Sequence, residues 1–407
     1  MGLVLFVTPH FSETFSRMLA GIGAIPGVTL GVITHAPAED APAPVRDVMR
    51  FHWKVADILN PAQIVWGAEG IASQAGMPIH RLFGSLEQAQ VPIAEARERL
   101  GVGGMSAAAT RNFRDKAEMK RVLRANGIPC ARHALATTLA DVDAAVATTG
   151  FPLVVKPPAG AGSIATFRVN DRDQLASVLA NYPPSLEHPL LFEEFVQGEE
   201  HSLETISIAG VPVWHSLTHY RPTPLDVVRH PWIQWCITLP REVDDPRYDD
   251  IKRAAAGGLA ALGMGTGLSH MEWFRRADGT VAIGEVGARP PGAQITTMIS
   301  RANDIDFVRA WAEVMVHGRF VPPVRKYAVG AAFLRGQGSG RVRAVHGLET
   351  VAREVGALVC DWRLPQVGQL PTGSYEGEGY ILVRHPETSV VEDALNRIVS
   401  RIRVELG

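Results

Sequence analysis

Apolar and polar positions along the chain alternate between short strand-like runs and helical periodicities, the pattern of an α/β protein. Near the N-terminus, Leu3–Val7 and Thr29–Ile33 are apolar runs of the buried-strand type, and Gln63–Trp66 reads as another. Ser12–Ile22 and Glu69–Ala75 carry helical spacing, and Ala36–Pro44, rich in Ala and Pro, is a loop. A second unit opens with a helix for which Asn112 is the expected N-cap. Asp115 and Glu118 lie early in it, Lys120, Arg121 and Arg124 late, and Gly127 and Pro129 stop it. Leu153–Lys156 and Ile164–Val169 read as strands around a loop of small residues, Asp171 caps a helix to about Ala180, and Leu190–Phe195 is again a strand. Thr205–Ile208 and Val211–His215 flank an Ala-Gly turn. Helices over 249–262 and Asp304–Val316 bracket a hairpin. Pro322-Pro323 then marks a linker, and the chain closes on a helix over Val390–Leu406.

The bracketed hairpin, Gly267 to Gly292, carries the strongest chemical signal. Asp278-Gly279 between two apolar runs predicts a two-residue turn. In that register Ala277 pairs with Thr280 and Glu272 with Glu285, which sets two carboxylates face to face with Cβ atoms roughly 5 Å apart. An exposed hairpin with two solvated acids is the plain alternative. The flanking Met271, Trp273, Phe274, Val281 and Ile283 argue for a buried sheet, where unpaired carboxylates are costly. Such a pair suits Mg²⁺, which takes a few protein oxygens and completes its shell with water and phosphate. Arg289, two alternations beyond Glu285, stays on the same face if the strand runs on.

Composition narrows the partners. At 407 residues the chain is too long for one core and implies two or three domains. A formal net charge of −2 gives no electrostatic reason to expect nucleic acid or an anionic membrane. Three widely spaced cysteines (Cys130, Cys236, Cys360) form neither a metal-ligand spacing nor a disulfide framework, which fits a reducing compartment. The N-terminus reads as a first strand and not as a signal peptide, and no apolar run reaches the roughly 18–20 residues of a spanning helix. A cytoplasmic protein is expected.

Two further segments bear on ligands. Lys156 ends a Val-Val run and is followed by Pro157-Pro-Ala-Gly160-Ala-Gly162-Ser163. Glycines at 160 and 162 let backbone N–H groups approach phosphate oxygens, and Lys156 projects a point charge at the same place. The spacing is not that of a P-loop, and Thr8-Pro9-His10 after the first strand is not a dinucleotide fingerprint. Over 191–202 a strand, a Gly turn and a second strand can offer backbone donors and acceptors to an adenine edge. An acidic surface hairpin explains that segment equally well on its own.

Taken in order, these pieces resemble the ATP-grasp superfamily, in its carboxylate–amine (L-amino-acid) ligase-like branch. The order is Asp115-Lys116 with Lys120, then Lys156 and its loop, then Glu193-Glu194-Phe195-Val196-x-Gly198-x-Glu200, then Glu272, then Glu285-Val-Gly287-Ala-Arg289. The resemblance covers about 110–320. It implies an N-terminal α/β (pre-ATP-grasp) domain over 1–108, an ATP-grasp domain over 109–325 with lobes of about 109–189 and 190–325, and a small α+β domain over 326–407. It also implies that Lys116 and Lys156 contact the phosphates of ATP and that Gly160, Gly162 and Ser163 close over them. Glu193 would accept from the adenine amino group, with the backbone of Glu194 and Val196 reading the ring edge. Glu200 would hold the ribose, Glu272 and Glu285 would bind Mg²⁺ (or Mn²⁺), and Arg289 would steady the transferred phosphate. The implied reaction joins a small-molecule carboxylate to an amine through an acyl phosphate with release of ADP and phosphate; many relatives are dimers. The family's Glu-x-Asn is here Glu285-Val286-Gly287, so one metal ligand is missing. Two other readings compete: an ATP-grasp ligase for bicarbonate or formate, and a non-catalytic nucleotide-binding protein with a degraded metal site.

His201, His215, His219 and Arg221 lie between the adenine segment and the hairpin, where a substrate could dock, although single histidines in such places are more often structural. Trp232, Trp235 and Cys236 read as core or pocket wall, and Arg397, Arg401 and Arg403 as a solvated helix face.

Overall fold

The computed structural model describes residues 2–159, 165–230 and 233–407. Four parallel strands, β1 (Gly2–Thr8), β2 (Val28–Thr34), β3 (Met49–Lys54) and β4 (Ile79–Gly84), form a first sheet in the order β3-β2-β1-β4. Parallel pairing requires crossovers, and the helices Glu13–Gly23 and Pro61–Ala75 supply them. The second of these corrects the sequence reading, because Gln63–Trp66 lies inside it and is not a strand. Asn60 caps it by accepting from the Ala62 amide, Pro61 takes the first turn, and Gly76 ends it at φ 61°. Ile64, Ala68 and Ile71 form its buried stripe, while Trp66 points outward. A run of four residues was too short to show that period.

The next unit also differs at its start. Asn112 sits inside a helix Ala107–Arg114, and the cap of the following helix, Lys116–Ala125, is Asp115, whose carboxylate accepts from the Ala117 and Glu118 amides. Strands β5 (His133–Ala136), β6 (Leu153–Lys156), β7 (Phe167–Val169) and β8 (Leu190–Glu194) make an antiparallel sheet in the order β5-β8-β6-β7. Asp171 caps the helix Arg172–Asn181 that crosses it.

The largest sheet has eight antiparallel strands. β9 (Gly198–Ile208), β10 (Val211–Arg221), β11 (Trp235–Leu239), β12 (Gly267–Arg276), β13 (Val281–Gly287) and β14 (Ala328–Leu334) come first along the chain. They are followed by the short β15 (Gly336–Gln337) and β16 (Val342–His346), then β17 (Val359–Arg363), β18 (Gly379–His385) and β19 (Arg403–Leu406). The order across the eight is β13-β12-β9-β10-β11-β14-β18-β17, while β15, β19 and β16 form a separate small sheet. Strands from the last eighty or so residues thus continue the sheet that carries the hairpin. The expected helix over Val390–Leu406 is instead Thr388–Arg401 followed by β19; Val404 is buried and pairs with Gly336 and Val345. Likewise, the long helix expected from Asp304 starts at Phe307, capped by Asp306.

One hydrophobic cluster joins the first sheet to the largest. Val4, Phe6 and Phe83 pack with Trp311 and Met298 of the helices Phe307–His317 and Ile295–Asn303, and with Ile206 and Phe333 of the large sheet. At about 25 cal/mol per Å² of apolar surface removed from water, such contacts fix the first sheet against the largest, while the β5–β8 sheet packs around a core of its own.

Candidate active site

The β12–β13 hairpin places the two expected carboxylates by a route other than the predicted one. The turn is not the two-residue type with Ala277 opposite Thr280. The Arg276 amide donates to the Thr280 carbonyl at 2.9 Å, and the Gly279 amide donates to the Arg276 carbonyl at 2.9 Å. Ala277-Asp278-Gly279 is therefore a three-residue loop with Gly279 left-handed at φ 83°. A register shift between Glu272 and Trp273 then restores the pairing, so Glu272 does lie opposite Glu285. The loop and the bulge offset each other.

Both carboxylates line a cavity of about 530 Å³ between the β5–β8 sheet, the large sheet and the first sheet. Its floor is the face of β9, β12 and β13 on which Glu200, Glu272 and Glu285 alternate with inward-facing neighbours. Its roof carries Lys156 from β6, Glu193 and Phe195 at the end of β8, and Lys116 and Lys120 from the helix Lys116–Ala125. Among the described residues, no three His, Cys, Asp or Glu side chains already converge on a metal-sized point.

The charges in the cavity are paired to one another. Lys116 Nζ is 2.8 Å from Glu285 Oε1. Glu193 stands between Lys156, at 2.9 Å, and Lys120, at 3.3 Å. Burial pushes the Glu193 carboxyl up, but the two ammonium groups outweigh it and hold it down at about 2. Burial lowers Lys156, and Glu193, then Glu285, more than offset this, so its pKa is raised. Lys120 is fully buried and also donates to the Gly284 carbonyl at 2.7 Å, tying the helix to β13.

For Glu200 the help from Lys156 is outweighed. Burial, then the neighbouring Glu272 carboxylate, push it well above the usual carboxylate range. For Glu272 the balance is reversed. Burial raises it, but His270 and then the lysines draw it below its ordinary value.

Glu194 takes ion pairs from Arg132 and, at 2.7 Å, from Arg276, and its amide donates to the Arg132 carbonyl at 2.9 Å. That amide is thus committed to β-structure and not offered to a ring. Val196 lines the cavity. Arg289 reaches the cavity from beyond β13, but its guanidinium is held by Glu87: Nε donates to Oε2 at 2.6 Å, and Nη2 also contacts that oxygen. Burial works against the Arg289 charge, and Glu87 more than compensates. Gly160, Gly162 and Ser163 lie outside the described residues.

The ATP-grasp domain family matches residues 113–214 of the chain. An L-amino acid ligase from Bacillus licheniformis superposes over 100% of this chain and 99% of its own, with a TM-score of 0.78 at 20% identity. Residues 113–214 thus match an ATP-grasp domain, and the chain as a whole shares the fold of that ligase.

An N5-carboxyaminoimidazole ribonucleotide synthetase from Thermotoga maritima superposes too, over 100% of both chains, with a TM-score of 0.70 and 17% identity. In sequence, the alanine–anticapsin ligase of Bacillus subtilis is 26% identical over 298 residues, covering 65% of this chain and 62% of that protein. The L-arginine-specific L-amino acid ligase of Bacillus subtilis is 23% identical over 245 residues, covering 59% and 58%. The matched regions therefore span about three fifths of these relatives' own lengths.

Around this cleft, sequence reading missed several residues: Lys120, Glu87 and His270 line it, and the buried Glu204 lies behind His270. Lys120 stands beside Lys116 in the motif order without an assigned role, although it follows Lys116 by one turn and so shares its face. Glu87 comes from a short turn after β4, where nothing local marks it. His270 and Glu204 look like ordinary strand residues until the register pairs them. The histidines that the sequence did single out lie elsewhere. His201 pairs with His219 across β9 and β10, and His219 Nε2 is 3.0 Å from the Tyr248 hydroxyl, so both are walled off from the cavity. His215 lies 4.0 Å from Asp244, and Arg221 pairs with Glu392 at 3.0 Å. Trp235 does line the cavity, Cys236 is half-buried, and Trp232 is outside the described residues.

Proposed function

We propose that this chain is an ATP-dependent carboxylate–amine ligase that forms an amide or peptide bond between small molecules through an acyl phosphate. The supporting observation is the facing pair Glu272 and Glu285 in one cavity with Lys116, Lys120, Lys156 and Arg289. Phosphoryl transfer asks a protein mainly for positioning and for fixed positive charge where phosphate charge spreads.

In this reading Lys156 and Lys116 receive the phosphates of ATP, and Glu193 and Val196 hold the adenine end, with Glu200 near the ribose. Gly160, Gly162 and Ser163 would add backbone donors above the phosphates. The two facing carboxylates fit a divalent cation: Glu285 already holds an ammonium group at 2.8 Å, a stand-in for a metal charge. Mg²⁺ bound there would neutralise phosphate charge and needs only one or two carboxylates besides phosphate and water. Arg289, turned from Glu87 towards the cavity, would hold the transferred phosphoryl group with its planar fork. The substrate carboxylate oxygen attacks the γ-phosphorus and ADP leaves. The amine nitrogen then attacks the acyl carbon, loses its extra proton to solvent, and phosphate departs with the former carboxylate oxygen.

The test is an amino-acid panel, taken singly and in pairs, with ATP and Mg²⁺. ADP and an amide product in pair-dependent amounts support the reading. AMP and pyrophosphate would exclude it, and turnover with bicarbonate or formate alone would assign the chain to a one-carbon acid.

A further inference from the structure

The reaction proposed above gives no task to His270, although its imidazole lines the cavity beside Glu272. This side chain is anchored from below. Its Nδ1 lies 2.8 Å from Glu204 Oε1, and Glu204 is fully buried in the sheet. Ser202 Oγ donates to the same Glu204 oxygen at 2.6 Å and Thr218 Oγ1 to the other at 3.1 Å, so the carboxylate is held on both sides. With Nδ1–H given to Glu204, Nε2 faces Glu272 Oε1 at 3.8 Å. The strand partner of His270 on β13 is Gly287, the position that lacks the expected Asn oxygen. A Cβ built there would meet only the Arg289 Cγ, at 3.7 Å, so the space is open.

We propose that His270 Nε2 is a ligand of the divalent cation, sharing it with Glu272 and replacing the oxygen lost at Gly287, with Glu204 as its hydrogen-bonded support. The inference rests on the reading that ATP and a cation bind in this cavity. A carboxylate behind a ligating histidine fixes the tautomer and ring orientation and raises the basicity of the other nitrogen. Two ligands on adjacent positions of one ion lie about 3 Å apart, so a small side-chain adjustment closes the present gap. An imidazole ligand favours Mn²⁺ or Co²⁺ over Mg²⁺, which prefers oxygen.

Electron spin-echo modulation of Mn²⁺ bound to the full chain with ADP tests this. Natural-abundance protein should show coupling to an imidazole ¹⁴N that is replaced by the ¹⁵N pattern after histidine labelling. His270→Gln should abolish the coupling and weaken Mn²⁺ binding on the order of ten-fold or more. The labelling uses the unaltered chain, so the decision does not depend on how the variant folds. Mn²⁺ held with ADP but without histidine nitrogen coupling overturns the proposal and leaves the ATP site standing. Coupling that persists in folded His270→Gln also overturns it. Failure to hold Mn²⁺ with ADP overturns both.

Discussion

The Lys116 ammonium lies 2.8 Å from the Glu285 carboxylate, so the free chain already neutralises one of its two facing acids with a charge suited to phosphate. A cation arriving alone must displace Lys116, whereas a nucleotide draws Lys116 away and leaves Glu285 available. Metal and nucleotide should therefore bind with positive linkage, and each must raise the other's affinity by the same factor. Equilibrium dialysis of Mn²⁺ with and without ADP should show a gain of roughly ten-fold or more, within the usual range of such couplings. Equal Mn²⁺ affinity in both conditions would show that the pair does not restrain the site.

Glu87 should matter for more than packing. It grips Arg289 from the N-terminal sheet and also lies 3.5 Å from Arg114. Removing its charge in Glu87→Gln leaves a largely buried guanidinium with a weaker acceptor, which should cost about 1.5–3 kcal/mol, the usual worth of a hydrogen bond to a charged group. Thermal denaturation checks that loss. The same variant should change kcat by about ten-fold while leaving the KM for ATP nearly unchanged, because Arg289 acts on the transferred group and not on the adenine end.

Gly287→Asn should fold normally. The new Cβ meets only an ordinary contact with Arg289, and the residue sits at the end of β13 without a left-handed backbone. Stability should move by no more than about 0.5 kcal/mol. An added amide oxygen opposite His270 should raise the affinity for Mg²⁺ relative to Mn²⁺. Titration calorimetry with ADP present would read both, and an unchanged ratio would detach position 287 from the metal site.

What could be read from the sequence was chemistry carried by local turns and caps. Asp171 capped the expected helix, and the Glu272–Glu285 pairing followed from a loop signal at Asp278-Gly279. Even there the success depended on a bulge that no local rule supplied. The failures have one physical cause each. Four residues of helix around Gln63 cannot be told from a buried strand, and Asp115 outcompeted Asn112 because its carboxylate could reach two amides. Glu87 meets Arg289 across 202 positions and Glu204 meets His270 across 66, contacts that only the tertiary fold and strand register bring about.

Acid should weaken the fold through His201 and His219. Burial, then the neighbouring positive charges, depress them to about 3 and about 4. In the unfolded chain they titrate near 6.5, so protons favour unfolding as pH falls below that value, and the loss continues until the folded pKa is reached. Between pH 7.5 and pH 5 each should cost about 2 kcal/mol. His201→Phe, set between the His219 and Trp273 rings, should shrink that difference by about the same amount in urea titrations. Glu193, held at about 2 by Lys156 and Lys120, acts in the same direction but at lower pH: its stabilisation is intact at neutral pH and is lost as pH falls from about 4.5 to 2.

The acyl phosphate is the core of the proposed mechanism, and oxygen transfer reports it directly. With an accepted acid substrate labelled with ¹⁸O in its carboxylate, plus amine, ATP and Mg²⁺, mass spectrometry of the released phosphate should find one ¹⁸O per phosphate, together with ADP. Unlabelled phosphate alongside amide product, or AMP with pyrophosphate, would contradict an acyl phosphate in this site.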